Sequence, residues 1–136
     1  MTFSVNGIYD YICKSVHAYN SDAYVTSRRE PVPKAMPCVQ IQQLNKMRPT
    51  NAMTLDLNDR QYLSTFEAQI YSNSKDSALS EAYGLEEVVE SAFNELGYRV
   101  TFCQPIDNYD PAIYRLVARY ERVIGLGDML PDYPST

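Results

Sequence analysis

The stretch DPAIYRLVARYERVIG, residues 110–125, alternates in the manner of a β-strand from Ala112 to Ile124. One set of alternate positions is apolar and aromatic, as a core-facing surface should be: Tyr114, Leu116, Ala118 and Tyr120. The other set combines charged and aliphatic side chains: Ile113, Arg115, Val117, Arg119 and Glu121. This second face is too apolar for open water and too charged for a core. We interpret it as a protein interface, with a merely solvated face as the alternative.

A long amphipathic helix is predicted across residues 73–97, NSKDSALSEAYGLEEVVESAFNELG. Its apolar residues recur at helical spacing: Ala78, Ala82, Leu85, Val89, Ala92, Phe93 and Leu96. Asn73 or Ser74 is expected to cap the start, and Gly97 stands where a left-handed residue commonly ends a helix. The glutamates are expected to form its solvated acidic face: Glu81, Glu86, Glu87, Glu90 and Glu95.

A second amphipathic helix is predicted from Ser4 to about Asn20, and a proline-bearing connection over residues 20–37 follows it. Strands are predicted at residues 38–44, 63–72, 98–105 and 112–124, with a possible short strand through Leu55 and Leu57. The short loop between the last two strands favours an antiparallel hairpin. This order predicts the α+β class: a mainly antiparallel sheet with an N-terminal helix and a long central helix packed on one face.

Within the strand at 63–72, alternation directs Phe66, Ala68 and Ile70 inward, and it directs Glu67, Gln69 and Tyr71 outward. The basic, turn-rich stretch NKMRPTNAM, residues 45–53, separates this strand from the one before it. We interpret the stretch as a connection or a mobile hairpin tip.

The 136 residues are enough for one domain, which we place at residues 1–136 with an irregular tail at 125–136.

The net charge of −5 argues against a general nucleic-acid binder, because neutralising phosphates requires clustered Lys and Arg. No apolar run approaches the roughly 18 residues that span a bilayer. We therefore expect no membrane contact and a protein that stays in the cytoplasm where it is made.

No group of side chains in the sequence indicates catalysis. His17 is the single histidine, and no nucleotide-binding, metalloprotease or hydrolase motif occurs. Cys13, Cys38 and Cys103 are widely spaced without a CxxC pair, which favours free thiols over a disulfide or a zinc site. We predict no enzymatic activity, no metal and no cofactor.

Three pieces of the sequence stand out together: FEAQIYSN before the long helix, ELGYRVTF after it, and AIYRLVARYE in the closing strand. In these pieces, and over about residues 36–124, the sequence resembles the tail terminator, or tail completion, proteins of long-tailed bacteriophages. The dipeptides Tyr114-Arg115 and Arg119-Tyr120 match the family pattern in that strand.

The resemblance implies a structural virion protein that forms a ring, expected to be a hexamer, at the head-proximal end of the tail tube. There it would stop tube growth and offer a surface to the head completion or stopper protein, at the head–tail junction of a particle assembled in the host cytoplasm. Its implied partners are further copies of itself, the major tail tube protein and that head protein, while genomic DNA passes through the bore without specific binding.

Two sets of residues are predicted to make these contacts. The subunit interface would use Arg115, Arg119, Glu121 and Tyr71, with the arginines facing a neighbour's acidic helix at Glu86, Glu87 or Glu90. The loop that docks on tube or head would use Lys46, Met47, Arg48 and Asn51, with an idle turn as the alternative.

Two other functions stay open at this point. The protein could instead act on the head side of the junction, as a stopper or adaptor subunit. It could also be a small enzyme or ligand-binding domain with a pocket near Tyr98, Phe102 and Tyr114.

Overall fold

The structure, a computed structural model, describes residues 4–28, 33–47, 62–107, 110–125 and 128–131, with the backbone alone at 45–47. These residues form two helices and five strands. In chain order they are α1 (Val5–Tyr19), β1 (Tyr24–Thr26), β2 (Cys38–Met47), β3 (Tyr62–Ser72), α2 (Ala78–Glu95), β4 (Arg99–Ile106) and β5 (Tyr114–Ile124). The predicted α+β class is confirmed.

The described strands form one sheet in the order β1-β2-β3-β5-β4. β1 runs parallel to β2, and the other three pairings are antiparallel, including the predicted hairpin of β4 and β5. The β3–β5 pairing at the centre sets Phe66 opposite Tyr120, Ala68 opposite Ala118, and Ile70 opposite Leu116. Because side chains alternate along a strand, these six residues share one face of the sheet.

Both helices contribute to the single apolar cluster that covers this face. Ile8, Ile12 and Val16 of α1 enter the cluster. Leu85, Val89 and Phe93 of α2 also enter it, as their helical spacing predicted. The Phe93 ring stacks on Tyr120 at a centroid distance of 4.5 Å, and it meets Tyr98 edge-on at 5.2 Å. Aromatic pairs of this kind add to the stabilisation from burial alone.

The first helix begins where the sequence predicted. The Ser4 hydroxyl accepts a hydrogen bond from the Gly7 amide at 3.0 Å, which satisfies one of the unpaired amides of the first turn. The second helix begins later than predicted: Ser77 precedes its first residue, whereas Asn73 and Ser74 lie before the helix. Ser74 instead pairs its hydroxyl with that of Ser77 at 3.0 Å.

The connections contain more regular structure than the sequence indicated. β1 lies inside the predicted connection at residues 20–37. β2 runs to Met47, so Lys46 and Met47 belong to a strand and the prediction of a turn at these two residues is wrong. Arg48, Asn51 and the possible strand through Leu55 and Leu57 lie outside the described residues. In the C-terminal tail, Leu130 is buried in the core cluster.

The end of α2 depends on Gly97 and Arg122. Gly97 has φ +87°, as predicted for a left-handed residue after a helix. The Arg122 side chain passes close by and donates from Nη1 to the Leu96 carbonyl at 2.6 Å and from Nη2 to Asp128 at 3.2 Å. Arg122 therefore connects the end of α2 to β5 and to the C-terminal segment.

We expect Gly97→Ala to lower the free energy of unfolding by about 1–2 kcal/mol, since an L side chain is disfavoured in this backbone region. The added Cβ would also lie 3.0 Å from Arg122 Nη1. Urea unfolding measures the change, with Gly7→Ala inside α1 as the matched control, expected to be neutral or stabilising. Equal losses in both variants would contradict a special role for the conformation of Gly97.

Candidate interaction surface

The face of the sheet opposite the helices, called the outer face below, carries the residues that the sequence singled out. In the β3–β5 register, Glu67 lies opposite Arg119, Gln69 opposite Val117, and Tyr71 opposite Arg115. β4 adds Phe102 next to Arg119. The predicted outward direction of Glu67, Gln69 and Tyr71 is therefore correct.

A continuous hydrogen-bond network joins five side chains of this face. Arg119 Nε donates to Glu67 Oε2 at 3.0 Å, and Gln69 Nε2 donates to Glu67 Oε1 at 2.8 Å. Arg115 Nη2 and the Tyr71 hydroxyl both donate to Gln69 Oε1, at 2.7 and 2.9 Å. The glutamate and the glutamine thus tie β3 to Arg115 and Arg119 of β5.

Aromatic rings support the two guanidinium groups. Arg119 lies over the Phe102 ring at 5.5 Å from its centroid, and Arg115 lies over the Tyr71 ring at 5.7 Å. Both distances are within the range of cation–π attraction. Arg115 Nε is buried and has no hydrogen-bond partner among the described residues, so the ring contact and the Nη2 bond hold this side chain.

Most of the network is already buried within the single chain. Glu67 is 5% exposed and Tyr71 is 3% exposed, whereas the side chain of Arg119 is 48% exposed. The sequence could not show this burial, because alternation assigns side chains to a face but does not say what covers the face. Of the two predicted interface arginines, Arg119 is the more exposed to a neighbouring molecule.

The sequence prediction for Glu86 is wrong. Glu86 does not lie on a solvated face of α2: it is 4% exposed and accepts a hydrogen bond from the Tyr120 hydroxyl at 2.8 Å. The reason is its spacing, because Glu86 is four residues after Ala82 and three before Val89, both of which are buried. That spacing was a usable signal that Glu86 belongs to the buried stripe.

Burial changes the acidity of this pair. Desolvation raises the pKa of the Glu86 carboxyl from its ordinary 4.5 to about 7. The hydrogen bond from Tyr120 opposes that rise, while the nearby Glu90 and Glu87 carboxylates add to it. Burial and the Glu86 carboxyl together raise the pKa of the Tyr120 hydroxyl far above its ordinary value.

The remaining predicted interface residues do not gather at one point. Glu121 is half-buried on β5 between Thr65 and Arg99 in the register, and Glu90 is half-buried on α2. The interface role of all seven predicted residues stays a prediction. Lys46 and Met47 lie in β2, while their partners in the predicted docking loop, Arg48 and Asn51, are outside the described residues.

The pocket predicted near Tyr98, Phe102 and Tyr114 is not formed by these residues. Tyr98 is 1% exposed, and its hydroxyl pairs with Ser64 at 2.9 Å inside the core. Phe102 lies on the outer face beneath Arg119, on the other side of the sheet. The three side chains therefore do not line a common cavity.

His17 has a structural setting in α1. One ring nitrogen, Nε2, lies 3.0 Å from the Ala23 carbonyl, and the other lies 3.6 Å from Cys13 Sγ. Over the described residues, no cluster of three His, Cys, Asp or Glu side chains could hold a metal ion. Neither α1 nor α2 is long and apolar enough to cross a membrane.

The same fold occurs in solved structures. The sheath/tube terminator of PVC, an extracellular contractile injection system, in its extended state aligns with a TM-score of 0.50 over 100% of this chain at 9% identity. The tube-terminating cap of the anti-feeding prophage aligns with a TM-score of 0.49 over 99% at 12% identity. This chain spans 63% and 61% of the lengths of those two proteins.

No protein-family model matches the sequence, and no curated protein matches it significantly. At such low identity the likeness to the solved structures is a likeness of fold. The chain has a tail-terminator-like fold, which confirms the fold expected from the sequence resemblance.

We expect Glu86→Gln to stabilise the protein at pH 8 and to have little effect near pH 4.5. A carboxyl whose pKa is raised in the folded state contributes stability below its unfolded pKa, and this contribution is lost as pH rises from 4.5 to about 7. The neutral amide avoids that loss, which corresponds to about 1–3 kcal/mol at pH 8. Glu87→Gln, at the exposed neighbouring position, is the control. Parallel pH profiles of unfolding for wild type and Glu86→Gln would refute the assignment.

We expect Arg119→Gln to destabilise the folded chain by about 1–3 kcal/mol, because it leaves the Glu67 carboxylate buried without its cation. The double variant Glu67→Gln/Arg119→Gln should recover part of this loss in urea unfolding. Arg99→Gln on exposed β4 is the control. If the losses of Glu67→Gln and Arg119→Gln, each measured alone, add up to the loss of the double variant, the pair contributes no coupling energy.

Proposed function

We propose that this protein is a structural subunit that assembles on the end of a phage-like tail tube and stops its growth. It acts through shape and surface complementarity, without catalysis. In more detail, we propose that the subunits form a closed ring, expected to be a hexamer. One surface of the ring would contact the tail tube, and the opposite surface would bind a head completion or stopper protein. The ring would stand at the head–tail junction of a virion, with DNA passing through its bore.

The main support is the alignment of the whole chain with a sheath/tube terminator. A fold alone does not determine a function, so the outer face must also fit the proposed function. Here the outer face is held by hydrogen bonds within the chain, from Glu67 and Gln69 to the two arginines. Such a face gives a subunit a fixed surface before assembly, which suits a component that must match a preformed tube end.

The net charge of the chain is compatible with a bore through which DNA passes. A net charge of −5 disfavours retention of nucleic acid, which must move through the ring and not stay bound. The part of the proposal that concerns the head protein rests on the sequence resemblance.

The test measures assembly and tube length together. The purified protein is examined by light scattering, alone and after mixing with polymerising major tail tube protein, and tube lengths are read by negative-stain microscopy. We expect a ring-sized species or capped tubes whose mean length falls as the ratio of this protein to tube protein rises. Tube protein polymerised without it is the control.

Unchanged tube length, together with a monomeric protein, would contradict the terminator function. In that case, pull-down with isolated tubes and with the head-side neck proteins would decide whether the chain belongs to the head side of the junction. Association with those neck proteins, and not with tubes, would favour the stopper or adaptor function.

A further inference from the structure

At both ends of the sheet, part of a strand edge has no neighbour among the described strands. Among the described strands, β4 pairs with β5 alone, through seven of its eight residues. At the other end, β1 pairs with only the first three residues of β2, from Cys38 to Gln40. Residues 41–47 of β2 therefore pair with β3 alone among the described strands. Unpaired backbone groups along such edges are templates for pairing with another chain.

The directions of the two edges are complementary. β2 and β5 both run antiparallel to β3, and β4 runs antiparallel to β5. β4 therefore runs opposite to β2. In a ring whose strands follow the symmetry axis, every copy keeps the same strand direction, so β4 of one copy meets β2 of the next as an antiparallel pair.

The irregular positions of the two edges also agree. β4 has one register shift, between Val100 and Phe102, and β2 has one between Gln43 and Asn45. When Arg99 is set opposite Met47 in an antiparallel alignment, the two shifts face each other and Cys103 lies opposite Gln43. Cys103 is in register with Ala118 and Gln43 with Phe66, so both belong to the helix-covered side of the sheet. Edges with mismatched bulges would not pair in this way.

Two charged residues also favour an approach of β4 to the β2 edge of the next copy. Asp107 directly follows β4 and is exposed, and Arg28 lies two residues after the end of β1 and is exposed. Because β1 occupies the first part of the β2 edge, an incoming β4 that pairs with residues 41–47 brings its C-terminal end to the end of β1. Asp107 and Arg28 then approach each other as opposite charges.

We propose that the free edge of β4 pairs with the open edge of β2, residues 41–47, in a second copy of this chain, so that one sheet continues from subunit to subunit. This inference rests on the proposed ring and names the surface that closes it. The contact is heterologous, since each copy presents two different edges, and repeated contacts of this type generate a ring when the rotation closes.

A disulfide between copies tests the pairing. Gln43→Cys is made in a Cys13→Ser background, so that native Cys103 is the exposed partner thiol and Cys38 stays buried. Within one chain, β2 and β4 are separated by β3 and β5, about 14 Å at roughly 4.8 Å per strand, too far for a disulfide. Mild oxidation of the assembled protein should therefore give a ladder of covalent oligomers on a non-reducing gel.

Two matched variants control for random collision. Leu79→Cys places a more exposed thiol on α2, away from both edges. Gln43→Cys/Cys103→Ser removes the partner thiol. We expect the ladder in Gln43→Cys to exceed that of either control by roughly tenfold.

The outcomes separate the inference from the proposed function. Ring-sized particles in light scattering with a ladder no stronger than the controls would overturn the edge pairing and leave the ring intact. Absence of any assembly, with or without tube protein, would overturn both. In a second measurement, Asp107→Arg should raise the concentration at half-assembly about two- to tenfold, and Arg28→Asp/Asp107→Arg should restore it. An unchanged midpoint in Asp107→Arg would refute the charge contact.

Discussion

The pairing of β3 with β5 is the constraint on which the rest of the molecule depends. Eleven residue pairs join the two strands, from Tyr62 opposite Ile124 to Ser72 opposite Tyr114. A slip by one residue would turn one strand's buried aromatic and aliphatic side chains toward the outer face. It would also separate Glu67 from Arg119, so the core and the outer-face network favour the same register. Agreement between an apolar and a polar set of contacts is what specifies a single pairing.

Much of this architecture could be predicted from local patterns. Period-two alternation identified β3 and β5 and assigned Phe66 and Tyr120 to the core side, and helical spacing identified the stripe of α2 with its terminal Gly97. These signals are strong because one face of each element packs on a core. β1 escaped notice because three residues, Tyr24–Thr26, are too few to show any period.

The candidate surface was harder to predict, for two physical reasons. The sequence places Arg115 and Arg119 on one face, but the partners that satisfy them come from β3, some fifty residues earlier, through a register that only the folded sheet fixes. Glu86 was assigned to solvent from its charge, although its position on the helix made it a core residue whose carboxyl meets Tyr120. In both cases a buried carboxylate, that of Glu67 or Glu86, has a specific hydrogen-bond partner, and pattern alone does not reveal partners.

Which hydrogen-bonding groups already have a partner within the chain determines how such a subunit can associate without refolding. On the outer face, a partner that bound Glu67 or Gln69 would first have to break their hydrogen bonds to Arg119 or Arg115. Breaking them has a high free-energy cost, because the Glu67 carboxylate would be left buried without its cation. At the strand edges, the backbone groups that no described strand pairs would exchange solvent for equivalent hydrogen bonds to a neighbouring strand, which would also exclude solvent from the flanking side chains. Assembly through edges therefore leaves the β3–β5 network intact. The interactions that fold the subunit are then separate from those that join it to its neighbours, so each can change without loss of the other.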